Sequence, residues 1–446
     1  RGIKEITQKL VPYLERIKED SNISSFNIPI LIYSGPEENL PTIFERLNSR
    51  GTQLSKYQIY AAAWQHYDLF TISNTEIIDK IKKKYELLIE EGYEVENFDG
   101  SKKFYTTLFL KFEYLFGLGK LLADKYVYLF SSNSKSEQED SIGFNITNIC
   151  LGKPFSEMNL LPKFLAEHNL EEFEECIFNS IEFVNDCLKG QIALKMNSTK
   201  KIAIVHTEMQ IVSLIGKVFH SRYDGKLKER ESWRETKLKL KKNIKFHYLY
   251  DILKESWKGS GDTRAYNLIN SDRYENEISK KQWENLFEEW IENDLLKKEK
   301  TRVNIKDSSI LFYKYLYTHT LSAFEELSDK TFDIEHLVPV GRLKTLASEI
   351  GLPISAFPNL CLLESNLNRK KGDETFYEHY DKLIANDEKT KEQTEIELKN
   401  IEGYSFTTRN DLEFVKNDFT PENYVAFIKN RFKIVSEKFY EFYDIK

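Results

Sequence analysis

Apolar side chains recur at helical spacing through most of this chain, and the interruptions divide it into stretches. Residues 1–19 read as an amphipathic helix. The run "NIPILIYS" (27–34) is rich in β-branched residues and ends on Ser34, Gly35 and Pro36, which predicts one buried strand closed by a turn. Ile43, Phe44 and Leu47 return to helical spacing, Asn48 to Gly51 supplies a stop, and Leu54 and Ser55 open another helix. From about 56 to 330 the pattern is mostly helical, as in "TEIIDKIKKKYELLIEEGY" and "EEFEECIFNSIEFVNDCL". Polar breaks at 131–141 and 258–263 predict loops, because Ser, Gly and Asp runs bury too little apolar surface to order themselves. A domain boundary is expected near 256.

After residue 330 the period changes. "TFDIEHLVPV" (331–340) alternates as a strand does, and Leu360 to Leu363 form a second apolar run. Ser365 suits a helix cap and Gly372 a helix end, so the order is strand, loop, strand, helix. The expected fold class is mainly α with small β elements.

Composition changes this picture little. At 446 residues the chain is long enough for two or three domains, and 41% hydrophobic with 30% charged residues is the balance of a globular protein rather than a disordered one. The net charge of -7 argues against indiscriminate coating of nucleic acid, which needs a broadly positive surface, but leaves room for a local basic groove. The stretch 226–245 carries nine cations against three acids. A solvated helix face explains it better than a phosphate contact, and its Trp233 fits packing better than stacking on a base. The four cysteines are widely spaced without a CxxC pair, which offers neither a disulfide framework nor a four-cysteine zinc site. No apolar run reaches the roughly 18 to 20 residues that span a bilayer, and residues 1–10 lack the apolar core of a signal peptide. A cytoplasmic protein without a membrane partner is expected. Because the chain opens at Arg1 and already reads as helix, a preceding segment is expected to be missing.

The chemistry lies in the last third. A one-metal nuclease needs a general base for water, oxygen ligands for the metal, and a scaffold that holds them together. Asp333 and Glu335 share one face of a regular strand and His336 points to the other, so Glu335 and His336 act together only if the strand ends or bends after Glu335. Pro339 and Gly341 favour a departure from regular strand shortly after His336. Asn368 and Lys371 lie three apart on one helix face, which sends an amide oxygen and a cation into one cleft. Hard Mg²⁺ accepts carboxylate, amide oxygen and water. Taken alone, a Glu-His pair is more often a surface strand end; the second cluster is what favours catalysis.

"DIEHLVP" followed by "PNLCLLESNLNRKKGDETF" resembles the HNH, or ββα-metal, nuclease motif. The resemblance implies His336 as general base, Glu335 and Asn368 as metal ligands, and Asp333 as a supporting ligand. It also implies that Asn359 ties the loop of the base in place and that Lys371 sits near phosphate. Asn368 stands where many members have a last His, as in the HNH domains of RNA-guided nucleases. Arg369, Lys370 and Arg431 are the expected nucleic-acid contacts, the last on "FTPENYVAFIKNRFKIV", similar to the closing helix of the family described next. "IFERLNSRGTQLS" resembles an element that follows the ParB-like domain in modification-dependent restriction enzymes of the GmrSD type, through Phe44, Asn48, Gly51 and Leu54. That family implies a trailing ParB-like nucleotide-sensing piece over 1–60, a helical middle over 61–255, and an HNH domain over 256–446 with its core at about 331–376. The family's D-G-Q-Q-R string is absent from residues 1–446, so nucleotide binding would require the missing segment.

The expected function is Mg²⁺- or Mn²⁺-dependent hydrolysis of double-stranded foreign DNA, with or without modified bases, in restriction or anti-phage defence. A single such site per chain suits nicking, or a homo-oligomer for double-strand cleavage. The alternatives are a nucleotide-gated regulatory or DNA-binding protein with a silent HNH site, and an RNA-cleaving toxin of the same fold. His66, His168, His206, His220 and His247 have no ligand-spaced partner and read as packed or surface side chains; His319 and His379 flank the motif without an expected role in catalysis. Neither a P-loop nor a G-x-S-x-G elbow is present.

Overall fold

The structure is a computed structural model that describes residues 2–20, 33–35, 43, 56–64, 67–93, 108–130, 137–192, 205–259, 261–322 and 332–446. Apart from 33–35, the strand expected at 27–34 lies outside the described residues, as do Phe44, Asn48, Gly51 and Leu54.

The chain is mainly helical, as its apolar spacing predicts. Helix α1 (Gly2–Asp20) presents Leu10, Leu14 and Ile17 to solvent. Helix α2 (Lys56–Ala63) precedes a two-residue strand β1 (Phe70–Thr71), then come α3 (Thr75–Glu90), β2 (Leu108–Phe109) and α4 (Lys111–Lys125). Strands β1 and β2 pair antiparallel, a small sheet that the helical pattern of this region concealed. Helix α5 (Glu137–Cys150) takes in the second half of the loop expected at 131–141. Acidic residues suit the positive end of a helix, and Ile142, Phe144, Ile146 and Ile149 supply the buried side chains that hold it.

Helices α6 (Leu170–Ile192), α7 (Glu208–Arg222) and α8 (Trp233–Leu253) pack on one another, and α9 (Asp262–Ile269) packs on α7. A Cβ on Gly216 of α7 would come within 2.9 Å of the Ile269 side chain of α9, so a glycine lets these helices approach closely. Arg273 and Trp257 both bond the carboxylate of buried Asp251 on α8. The basic stretch is largely the first half of α8 and the turn before it: Lys239 pairs with Glu235, Lys242 with Glu277, and Trp233 is buried edge-on against Phe183.

Buried histidines outside the last third are structural. The His206 ring bonds Tyr248 Oη and the Leu129 carbonyl, both at 2.8 Å, and burial pushes its pKa down to about 4. The unfolded chain therefore binds a proton here that the folded chain refuses. The resulting stability is fully present above about pH 6.5 and is lost as pH falls toward 4, by roughly 3 kcal/mol at the limit. Thermal unfolding at pH 7 and pH 5 should show a fall in Tm that His206→Gln reduces.

The last third adds α10 (Lys280–Leu295), α11 (Asp307–Ser322), β3 (Phe332–His336), α12 (Val340–Leu346), β4 (Leu360–Glu364), α13 (Ser365–Lys371), α14 (Phe376–Ala385), α15 (Lys391–Ser405) and α16 (Pro421–Phe442). Strands β3 and β4 form an antiparallel pair in which Glu335 faces Cys361 and His336 faces Leu360. Helix α13 follows β4 directly and packs on both strands. An aromatic block under this unit stacks Trp290 on Phe357 at 3.9 Å and adds Phe312 and Phe439. Among the described residues no helix is long and apolar enough to cross a membrane.

Candidate functional site

The segment entering β4 is held from several sides before any functional side chain is placed. Tyr313 Oη donates to the Phe357 carbonyl at 2.7 Å, Tyr424 Oη to the Pro353 carbonyl at 3.0 Å, and Phe357 N–H to Asp294 Oδ2 at 2.8 Å. Glu299 accepts from Ser355 N–H and Oγ, each at 2.7 Å. Backbone groups that would otherwise be unmatched in the interior are thus satisfied, which stiffens the turn.

That turn delivers Asn359. Its backbone carbonyl accepts from Leu337 N–H at 2.7 Å, and its Oδ1 accepts from Val338 N–H at 3.0 Å. Its Nδ2 donates to the Val338 and Ile354 carbonyls at 3.4 and 3.3 Å. Asn359 is fully buried, and it clamps the two residues that follow His336. Asn359→Ala should destabilise the fold by about 2 kcal/mol, because it leaves the buried Val338 N–H without an acceptor. Denaturant titration measures this, and the slope should stay unchanged.

The strand does not break where the sequence suggests. Pairing runs regularly to His336↔Leu360, and Leu337 still bonds across to Asn359, so the alternation persists one residue beyond Glu335. The reason is the Asn359 clamp, which extends the ordered pairing past the end of the ladder. The link between the two faces is Lys371. It is buried, donates to Glu335 Oε1 at 3.1 Å and to the Glu374 carbonyl at 3.3 Å, and its charge also acts on His336. Helix α13 can bring it there because Gly372, at φ 55° and ψ -127°, ends the helix in a conformation closed to most side chains. The helix begins at Ser365 with Glu364 as the flanking residue and no side-chain cap, since β4 runs straight into it.

His336 differs from four of the other described histidines. The rings of His168, His206, His220 and His247 each bond a backbone carbonyl. His336 Nε2 is buried without a partner among the described residues. Burial, and then the Lys371 charge, push the pKa of this ring down to about 4, with Glu299 opposing. Glu299 was not singled out from sequence; it sits 37 positions before His336 in a lysine-rich stretch with no motif around it.

Asp333 and Asn368 are half-buried, and Arg369 and Lys370 are exposed on α13. Asp333 lies two residues along the strand from Glu335, roughly 7 Å away. Arg431 corrects the sequence reading. It is 2% exposed and spends its guanidinium on the Pro358, Phe406 and Leu360 carbonyls and Thr407 Oγ1, so it cannot reach a phosphate. Interior carbonyls at the start of β4 require a donor fork, and arginine supplies one.

Among the described residues no group of three or more His, Cys, Asp and Glu is arranged to hold a metal ion. The residues expected as ligands, Glu335 and Asn368, offer a carboxylate and an amide oxygen, donor types that suit a hard cation keeping several waters and do not suit a closed zinc centre. Comparisons with protein-family models, curated proteins and solved structures find no match to this chain.

Proposed function

We propose that the chain is a metal-dependent endonuclease of the HNH type, acting on foreign double-stranded DNA in a restriction or defence role, and related to GmrSD-type enzymes. The observation that carries this reading is Lys371: it donates to Glu335 and its charge acts on His336, so two residues on opposite faces of β3 share one neighbour in the strand–strand–helix unit, with Asn359 clamping the residues after His336 and Asn368 on the same short helix as Lys371. His336 would accept a proton from the attacking water, since its Nε2 is unpartnered and its ring stays neutral at physiological pH. Glu335 and Asn368 would hold Mg²⁺ or Mn²⁺, with Asp333 in support. A bound cation of this kind supplies charge neutralisation at the phosphate and leaving oxygen. Lys371 would leave Glu335 for the phosphate, and exposed Arg369 and Lys370 would track the backbone. Asn359 positions the residues after the base and touches no substrate.

A second reading, a regulatory or DNA-binding protein with a silent site, is favoured by the state of the base and its neighbour. His336 is buried, a base of pKa about 4 is weak at neutral pH, and Lys371 already neutralises Glu335. Plasmid relaxation with Mg²⁺ or Mn²⁺ separates the two. Activity lost on chelation and in His336→Ala supports the nuclease; a wild-type chain inert on plain, base-modified and RNA substrates overturns it. Cleavage of RNA alone would identify a toxin of the same fold.

A further inference from the structure

A cavity of about 320 Å³, lined in part by Arg431, lies between the turn after α15, the short helices Arg409–Leu412 and Phe414–Asn417, and α16. Its volume is at the lower end for ligand sites and admits one ring system with little beside it. Phe406, Phe414 and Phe427 supply aromatic surface, and Asn410 and Asn430 stand exposed in its lining. Phe406 is held in the left-handed region at φ 51°, ψ 41°, a conformation that bulky side chains rarely adopt, with its ring stacked against Tyr317.

The charges around the cavity select the ligand further. Arg431 is the one cation in its lining among the described residues, and its guanidinium is occupied by four acceptors. Asp411 and Asp418 add two carboxylates, the first accepting from Thr408 and the second from Asn423. An anion would be repelled. A flat uncharged heterocycle would stack on the phenylalanines, and each asparagine amide offers the paired donor and acceptor that a base edge matches.

We propose that this cavity is a binding site for a single uncharged nucleobase. The inference stands independently of the nuclease reading, although the two sites share a structural clamp: Arg431 bonds the carbonyls of Pro358 and Leu360 on either side of Asn359. The test is titration of the full chain, in the absence of metal, with free nucleosides, their 5′-monophosphates and short single-stranded oligonucleotides of one base, read by calorimetry and ligand-observed NMR. At least one nucleoside should bind, its monophosphate at least tenfold more weakly, and Asn430→Ala should weaken binding fivefold or more without changing Tm. Phe414→Leu, which keeps an apolar side chain, should weaken it as well. Nucleoside binding without oligonucleotide binding identifies a free ligand. That outcome supports the site, whereas oligonucleotide binding with no free nucleoside bound would overturn it, because a phosphate backbone is disfavoured beside Asp411 and Asp418. No binding of any probe at millimolar concentration, equal binding of nucleoside and monophosphate, or affinities unchanged in both variants would overturn it.

Discussion

In the proposed nuclease, His336→Ala should lower the Mg²⁺-dependent cleavage rate by about 10²- to 10⁴-fold, the range that a positioned proton acceptor contributes. Stability should fall by only about 1–2 kcal/mol, because the ring is buried but its Nε2 makes no hydrogen bond to lose. The wild-type pH–rate profile carries a second signature. Burial and the Lys371 charge push the ring down to about 4, so it remains neutral and able to accept a proton through pH 5. The acid limb of the profile should therefore fall below pH 5 and not near 6.5, as long as His336 is the group that titrates. Equal rates for wild type and His336→Ala, with metal present and the substrate cleaved, would remove His336 from the mechanism.

Arg431→Met should produce the largest loss of stability, about 3–5 kcal/mol, and should lower Tm by several degrees or more. The substitution removes the donor of four hydrogen bonds and strands three backbone carbonyls, those of Pro358, Phe406 and Leu360, in the interior. Arg431→Lys should recover little, because one ammonium cannot reproduce a planar fork that reaches acceptors in several directions. A phosphate-contacting arginine would behave in the opposite way. Its loss would leave Tm in place, weaken DNA binding, and reduce the salt dependence of that binding by about one ion. Thermal unfolding and a salt titration of DNA binding on the same variant decide the matter.

These two residues mark the difference between local and tertiary information. The two strands and the helix within residues 331–376 were legible because alternation, an apolar run and Gly372 are local signals, but the connection expected as a loop holds helix α12, which was not foreseen. The side-chain roles were legible only as expectations from a resemblance. Arg431 looked like a free cation on a late helix, since nothing within its own helix shows that carbonyls 71 to 73 positions earlier in the chain lie beside it. The strand break expected after Glu335 moved for a similar reason: Asn359, 23 positions after His336, supplies the acceptors that keep the pairing ordered. Glu299 could not be found from sequence, because its closeness to His336 comes from the pairing of its backbone with Leu352.

The sequence by itself determined that this chain is mainly helical, and that two short strands and a helix in its last third carry Glu335, His336, Asn368 and Lys371. Helix and strand periods are properties of neighbouring residues, so they can be read without the fold. Only the tertiary structure decided which polar groups are spent and which are left over. Arg431 and Asn359 are consumed in satisfying backbone, Lys371 is paired with Glu335, and His336 Nε2 is left without a partner among the described residues. Whether a side chain has to satisfy a buried donor or acceptor depends on what long-range packing removes from water, and that is set by contacts the local pattern does not contain.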